Sequence, residues 1–413
     1  MAALKTSIVT FNCGKASIEP DELAAHLLSG KDLPDLLVLS LQEIAPLAHA
    51  FLTGSFIHPF LRRAWKAVKI AAADRADYEY VFARNVGTTA ILLFAVPETR
   101  ARIHSLEFGG TAAGDHDLSN KGAAAVRLAY DVDHDSTRRL TFVAAHLAPM
   151  EPDFERRNKD WEIIASTLVF EPVDGKRSAA VSPEAEPLLT SPKTASTRES
   201  GIYEPDTLLF VAGDLNYRIS DVKPLPDEHK TFPQPTDSLH SWREGDQLNR
   251  ERQAGRTLQG LTEPEINFPP TYKYDTGFRW PEDGSEPEIW PWAQHRFPSW
   301  CDRILYSDFA SGGVVKVNRY TALPLLSSSD HRPVVMDFGI DLAAQEWDTA
   351  STVTAPFAIN PTWKSRRAAG RRWELAVGTC AYLSLTWEGN GILLASLVGA
   401  VGGYAVLSSL INT

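Results

Sequence analysis

The sequence predicts an α/β or α+β layered domain followed by a membrane span. Three observations carry that expectation. Short apolar runs of β-forming residues recur between positions 4 and 338. Amphipathic helical patterns lie among them without strict strand–helix alternation. Residues 392–411, ILLASLVGAVGGYAVLSSLI, carry no charge.

The expected strands are Leu4–Cys13, Asp35–Leu41, Tyr78–Val96 (a hairpin broken at Asn85-Val86-Gly87), Gly122–Tyr130, Leu140–His146, Leu208–Ala212, Arg303–Tyr306 and Pro333–Phe338. Val, Ile, Leu, Phe and Thr dominate them, as a half-buried pleated surface favours. Helices are expected at Asp21–Leu28, Phe60–Ala72 and 154–168, where Phe154, Trp161, Ile164, Ala165 and Leu168 share one face. Residues 171–206 are rich in Ser, Pro, Thr and charge, so a disordered surface insertion is expected. Its Ser182-Pro183 and Ser191-Pro192 pairs are candidate phosphorylation positions. Residues 263–297, rich in Pro, Trp and Glu, read as an ordered loop.

The chain has 413 residues, with 52 acidic against 41 basic side chains and a net charge of −11. That balance excludes a general nucleic-acid binder. Hydrophobic residues at 44% allow a large core. Cys13, Cys301 and Cys380 form no CxxC pair, which fits a reducing compartment and argues against a cysteine metal site. Residues 1–20 lack a continuous apolar core, so no secretory signal is expected.

About 20 apolar residues from Ile392 to Ile411 suffice to cross a ~30 Å hydrocarbon core. Upstream, Lys364, Arg366, Arg367, Arg371 and Arg372 form a basic cluster expected to stay cytosolic. The stretch from Trp373 to Trp387 contains Glu374 and is too short for a comfortable span. It reads as interfacial, with Trp373, Tyr382 and Trp387 near the headgroups. The expected organisation is a catalytic domain at 1–342, a basic linker at 343–372, an interfacial segment at 373–391 and a tail anchor at 392–411.

The apolar runs share an unusual feature: they stop or start at polar residues. Leu4–Phe11 ends in Asn12, Leu36–Leu41 in Gln42-Glu43, Phe142–Ala145 in His146, and Leu208–Ala212 in Gly213-Asp214-Leu215-Asn216. Asp302 precedes Arg303–Tyr306, and Asp330-His331 precede the run into Val334. Strand ends of one layered domain can converge on one rim, and half-buried carboxylates and amides are costly unless they bind something. Carboxylate and amide oxygens without cysteine suit a hard cation, Mg²⁺ rather than Zn²⁺. With two histidines, such a set suits attack of water on a phosphate ester.

GDLNYR (213–218), PSWCDRIL (298–305) and SDHRPV (329–334) resemble the signature motifs of the inositol polyphosphate 5-phosphatases. FNCGK (11–15), LQEI (41–44), NKGAAAVR (120–127), AHLAP (145–149) and PTYKYD (270–275) follow in that family's order. The resemblance spans residues 4–340. It implies the exonuclease/endonuclease/phosphatase fold, a four-layer sandwich of two packed β-sheets flanked by helices, and Mg²⁺-dependent removal of a 5-phosphate. Carried over, Glu43 resembles the principal metal ligand, with Asn12 beside it and Asp330 in support. Asp214 resembles the residue that activates water, and Asn216 the one that holds water and phosphate. His331 resembles the catalytic histidine, oriented by Asp302, and His146 a donor to the phosphate; whether Asp214 or His331 takes the proton stays open. Lys121, Tyr272, Lys273 and Arg296 resemble substrate contacts, though Gln294 stands where the family often has a second basic residue.

A catalytic domain with a tail anchor resembles the subtype acting on phosphatidylinositol 4,5-bisphosphate at the endoplasmic reticulum, with the domain in the cytosol. The expected partners are therefore the phosphoinositide lipid and the membrane, with no nucleic acid. Two alternatives stand beside this reading: a neutral sphingomyelinase-like phosphodiesterase, which would not need PSWCDRIL or Tyr272-Lys273, and a silent membrane scaffold, which need not keep Glu43, Asp214, Asn216 and His331.

Overall fold

The computed structural model describes residues 3–30, 32–133, 135–173, 199–281, 283–308, 313–344, 347 and 354–411. Among these, two six-stranded sheets stack face to face. The first has the order β11-β12-β1-β2-β4-β3 and the second β10-β9-β7-β6-β5-β8. The strands are β1 Leu4–Asn12, β2 Leu36–Gln42, β3 Glu79–Val86, β4 Thr89–Ala95, β5 Ile103–Ala112, β6 Gly122–Asp131, β7 Thr137–His146, β8 Phe170–Pro172, β9 Thr207–Asp214, β10 Asp302–Tyr306, β11 Val315–Ala322 and β12 Val334–Ile340.

Alternation along each central strand divides its side chains between two cores. Ile8, Val38, Ile91, Val126, Phe142, Phe210 and Phe338 fill the space between the sheets. Val9, Leu37, Leu39, Leu92 and Phe94 face the other way, against Leu23 of helix Pro20–Leu27 and Leu61, Ala64 and Val68 of helix His58–Ala72. Val143 and Val211 of the second sheet meet Trp161 and Ile164 of helix Phe154–Thr167. The result is helix, sheet, sheet, helix, the four layers expected. Central strands buried on both faces explain why they read as continuous apolar runs.

Three strands lie outside the expected set. β11, VKVNRYTA, is a half-exposed edge strand whose pairing slips between Val317 and Arg319, so it offers no apolar run. β5 carries Gly109-Gly110 within an otherwise mixed sequence, IHSLEFGGTA, that offers no apolar run, and β8 is only three residues long. β8 also corrects the edge of the expected insertion: Phe170–Pro172 pairs with β5, and Ile202 is buried. Positions 174–198, with both Ser-Pro pairs, lie outside the described residues.

The basic stretch at 364–372 is likewise corrected from linker to helix. It opens helix Trp363–Leu385, which takes in most of the segment expected at the interface, and helix Trp387–Ile411 follows after a break at Thr386. The second helix is long and apolar enough to cross a membrane, and its most hydropathic window is wholly exposed.

Candidate active site

Strand register gathers the polar strand ends. In the first sheet Asn12 at the end of β1 lies opposite Gln42 at the end of parallel β2, which delivers Glu43. In the second, His146 ends β7 opposite Asp214 at the end of parallel β9. The antiparallel neighbours begin where those end: Asp302 of β10 faces Asp214, and Gly122 of β6, next to Lys121, faces His146. The two sheets meet at a hydrogen bond in which Asn12 Nδ2 donates to Asp214 Oδ2 at 2.8 Å.

Asp214 is the hub. His146 Nε2 lies 3.3 Å and His331 Nε2 3.9 Å from its Oδ2. Burial alone would raise this carboxyl, but His331, His146 and Lys121 outweigh burial and hold it far below the usual carboxylate range. His331 Nδ1 sits 2.8 Å from Asp302 Oδ2, which also accepts from Thr271 Oγ1 at 2.7 Å. Burial opposes the imidazolium, yet the carboxylates of Asp302 and Asp214 push His331 up to about 9. Burial raises Asp302 to about 6, so near neutral pH the two form an ion pair. On the other side of Asp214, His146 Nε2 is 2.5 Å from Lys121 Nζ. Burial, reinforced by Lys121, lowers His146 and keeps it neutral.

Glu43 stands at φ 47° and Asn216 at φ 56°, left-handed backbone that L-residues seldom adopt and that concentrates at functional sites. The half-buried Glu43 carboxylate lies 3.6 Å from Lys15 and 3.9 Å from Lys121, too far for short hydrogen bonds. With Asn12 it is an all-oxygen donor pair that fits a hard divalent cation. Asp214, Asp302 and His331 form a second compact group, with ligand atoms within 4.8 Å of one another. Its imidazole is already turned toward Asp302, so Glu43 and Asn12 suit a cation better.

The loop after β9 is fixed from behind. Asn216 Nδ2 donates to Leu147 O at 3.1 Å, and Arg218 Nη2 donates to Asn216 Oδ1 at 2.5 Å and to Pro149 O at 2.6 Å. The Arg218 guanidinium lies 4.2 Å over the Tyr272 ring, which also meets the His331 ring at 4.5 Å and Lys273 Nζ at 5.2 Å. Tyr217 hydroxyl donates to Asn158 Oδ1 at 2.7 Å, and Asn158 Nδ2 donates to Glu251 Oε2 at 2.7 Å. Glu251, in helix Gln247–Gln253, also accepts from Arg256 and Arg250. Arg256 first, then Asn158 and Arg250, overcome burial and hold its carboxyl at about 2. A depressed carboxyl stabilises the fold above its unfolded value of ~4.5, and that contribution fades as pH falls towards 2. Glu251→Gln should therefore melt below the wild type at pH 7, the gap closing on acidification; a pH-independent gap would show that packing, not charge, is lost.

The remaining expected substrate contacts lie at the rim, each engaged by a carboxylate. Lys273 pairs with Asp330, whose Oδ1 is 4.0 Å from His331, and Arg296 bonds both oxygens of the buried Glu151. Asp330 is thus engaged by Lys273. Four participants escaped the sequence reading: Lys15, Thr271, Glu151 and Ser329, whose hydroxyl donates to Asn12 O at 2.6 Å and accepts from the His331 amide at 3.1 Å. Lys15, Thr271 and Ser329 lie inside the FNCGK, PTYKYD and SDHRPV motifs, a signal that could have found them. Glu151 lies just beyond AHLAP and has no comparable mark.

Residues 9–337 match the model of the endonuclease/exonuclease/phosphatase family 2. The mouse type II inositol 1,4,5-trisphosphate 5-phosphatase is 32% identical over 350 residues, 82% of this chain and 30% of that protein. A phosphatidylinositol 4,5-bisphosphate 5-phosphatase of Saccharomyces cerevisiae is 28% identical over 316 residues, 74% of this chain and 28% of that protein. The chain thus spans less than a third of the length of these relatives. The inositol polyphosphate 5-phosphatase domain of SPSynaptojanin, solved with inositol (1,4)-bisphosphate and calcium, superposes with a TM-score of 0.60 at 23% identity, covering 90% of each chain. A Cimex nitrophorin also superposes, at a TM-score of 0.53, 17% identity and coverage of 83% and 100%, so the fold alone names no chemistry. On the family match together with the strand-end site it encloses, the chain belongs to the endonuclease/exonuclease/phosphatase family 2, alongside inositol polyphosphate 5-phosphatases.

Proposed function

We propose that the chain is a Mg²⁺-dependent phosphoinositide 5-phosphatase that converts phosphatidylinositol 4,5-bisphosphate to phosphatidylinositol 4-phosphate at a membrane surface. The observation that carries this is Asp214, a buried carboxylate kept anionic between His146, His331 and Asn12 at the meeting point of two sheets. The names of the mouse and yeast relatives support the substrate class.

Asp214 is the better proton acceptor of the two candidates, because His331 is held protonated by Asp302. Water held by Asn216 and Asp214 attacks phosphorus and gives its proton to Asp214 as the new P–O bond forms. The bond to the inositol 5-oxygen breaks, that oxygen takes a proton from solvent and leaves as a hydroxyl, and Asp214 returns its acquired proton to solvent. The His331 imidazolium, neutral His146 and Lys121 offer N–H donors to the phosphoryl oxygens, where charge develops. Mg²⁺ held by Glu43 and Asn12 would supply further neutralisation of that charge. Lys273 and Arg296 would release Asp330 and Glu151 to meet a neighbouring phosphate.

Helix Trp387–Ile411 would anchor the domain, since Leu394, Leu397, Val398 and Leu407 are all more than half exposed and costly in water. The basic residues before it favour a cytosolic domain, and resemblance to the tail-anchored subtype favours the endoplasmic reticulum. The test is phosphate release from phosphatidylinositol 4,5-bisphosphate and inositol 1,4,5-trisphosphate, with Mg²⁺ or EDTA. Release should require Mg²⁺ and fall at least about a hundredfold in Asn216→Ala. A folded wild-type protein silent on both substrates would sink the proposal.

A further inference from the structure

Helix Trp363–Leu385 does not hang from the domain; it lies against it at three places. At its start Trp363 is buried, Asn360 N donates to Ser166 O at 2.8 Å, and Arg367 pairs with Glu171 at 3.1 Å. Over its first two turns Arg366 pairs with Asp117 at 2.5 Å, and Gly370 passes so close that a Cβ there would stand 2.3 Å from Asp117 O. Further on, Arg371 donates to Phe51 O at 2.5 Å and reaches Thr53 Oγ1 at 3.3 Å. Gly378 lets the helix touch helix Leu47–Leu52, where a Cβ would lie 2.9 Å from Phe51 Cβ. Tyr382 closes the contact edge-on to His49 and Phe56.

The segments gripped are those that lead to the site. Helix Leu47–Leu52 begins four residues after Glu43, and Asp117 precedes Lys121 by four. From Gly378 to the end of its helix is a rise of roughly 10 Å, after which the apolar helix begins. A slack tether would let the cleft tumble over the surface, whereas a helix locked at three points allows few orientations.

We infer that helix Trp363–Leu385 is a strut that fixes the cleft toward the bilayer, so that it governs turnover of membrane-embedded lipid and not of soluble substrate. This rests on the phosphatase reading above. Orientation is a rate factor only where one reactant cannot rotate freely, and a lipid headgroup held in a plane is such a reactant.

The test uses the full chain in phosphatidylcholine vesicles carrying phosphatidylinositol 4,5-bisphosphate, with inositol 1,4,5-trisphosphate as the soluble substrate in the same preparation. Gly378→Leu forces the helix off Phe51. Arg371→Ala loosens the same contact without adding volume, which keeps the test open should the first variant fail to fold. Undocking is read by protease cleavage within 363–385. Lipid turnover should fall on the order of tenfold while soluble turnover stays unchanged. A flexible Gly-Ser insert after Leu385, which leaves the docking intact, should reproduce the loss. Unchanged lipid turnover in an undocked variant, or a parallel fall in soluble turnover, overturns the strut. A wild type silent on both substrates overturns the phosphatase reading and the strut with it.

Discussion

Asp214→Asn is expected to lower kcat about a thousandfold with little change in KM, a size in keeping with loss of a positioned proton acceptor. The substitution keeps shape and the contact with Asn12, but removes the negative charge that His146, His331 and Lys121 surround. The protein should stay folded but melt below the wild type at pH 7, because a carboxyl held far below its usual range contributes stability there, as Glu251 does. His331, having lost one of the three carboxylates that raise it, should titrate lower than in the wild type, which NMR of the imidazole can follow. Near-normal kcat in a folded Asp214→Asn protein would move the proton acceptor elsewhere, with His331 the next candidate. A large fall in stability would instead make Asp214 a structural residue.

The second large effect concerns stability. Arg303, fully buried in β10 beside Asp302, donates to Asp246 at 2.9 and 3.1 Å and to both oxygens of Glu263 at 2.7 Å. Tyr320 hydroxyl completes the set on Glu263 at 2.7 Å. Arg303→Met would strand the buried Asp246 carboxylate and leave Glu263 with only the Arg252 cation, 3.9 Å away, and breaking such a pair costs about 3–5 kcal/mol. Urea unfolding should show the midpoint falling with the slope unchanged. Replacing Arg303, Asp246 and Glu263 together by apolar residues should cost less than Arg303→Met alone, because no charge is then stranded. If the triple variant is the weaker, the network contributes net stability and its role is larger than orientation of β10.

The candidate site was legible to different depths. Asn12, Glu43, His146, Asp214, Asp302 and His331 could be marked because each interrupts a run of β-forming apolar residues, where a polar group has no ordinary reason to stand. Tyr217 and Arg218 brace the loop through their hydrogen bonds to Asn158 and Asn216. The engagement of Lys273 by Asp330 and of Arg296 by Glu151 could not be read, since the partners lie 57 and 145 residues apart. The docked helix was missed for a similar reason. Its arginines look like a solvated juxtamembrane cluster until Asp117 and the carbonyl of Phe51 are brought beneath them.

The sequence by itself therefore determined the layered strand-and-helix class, the polar strand ends, the apolar C-terminal helix and the family resemblance. All of these depend on side-chain periodicity and local motifs, which are written in consecutive residues. Only the tertiary structure decided the order of strands in the two sheets, the edge strands β8 and β11, the charge pairing around Asp214 and the seating of helix Trp363–Leu385. These depend on contacts between residues far apart in the chain, where Coulomb attraction and close packing act only after folding has closed the distance.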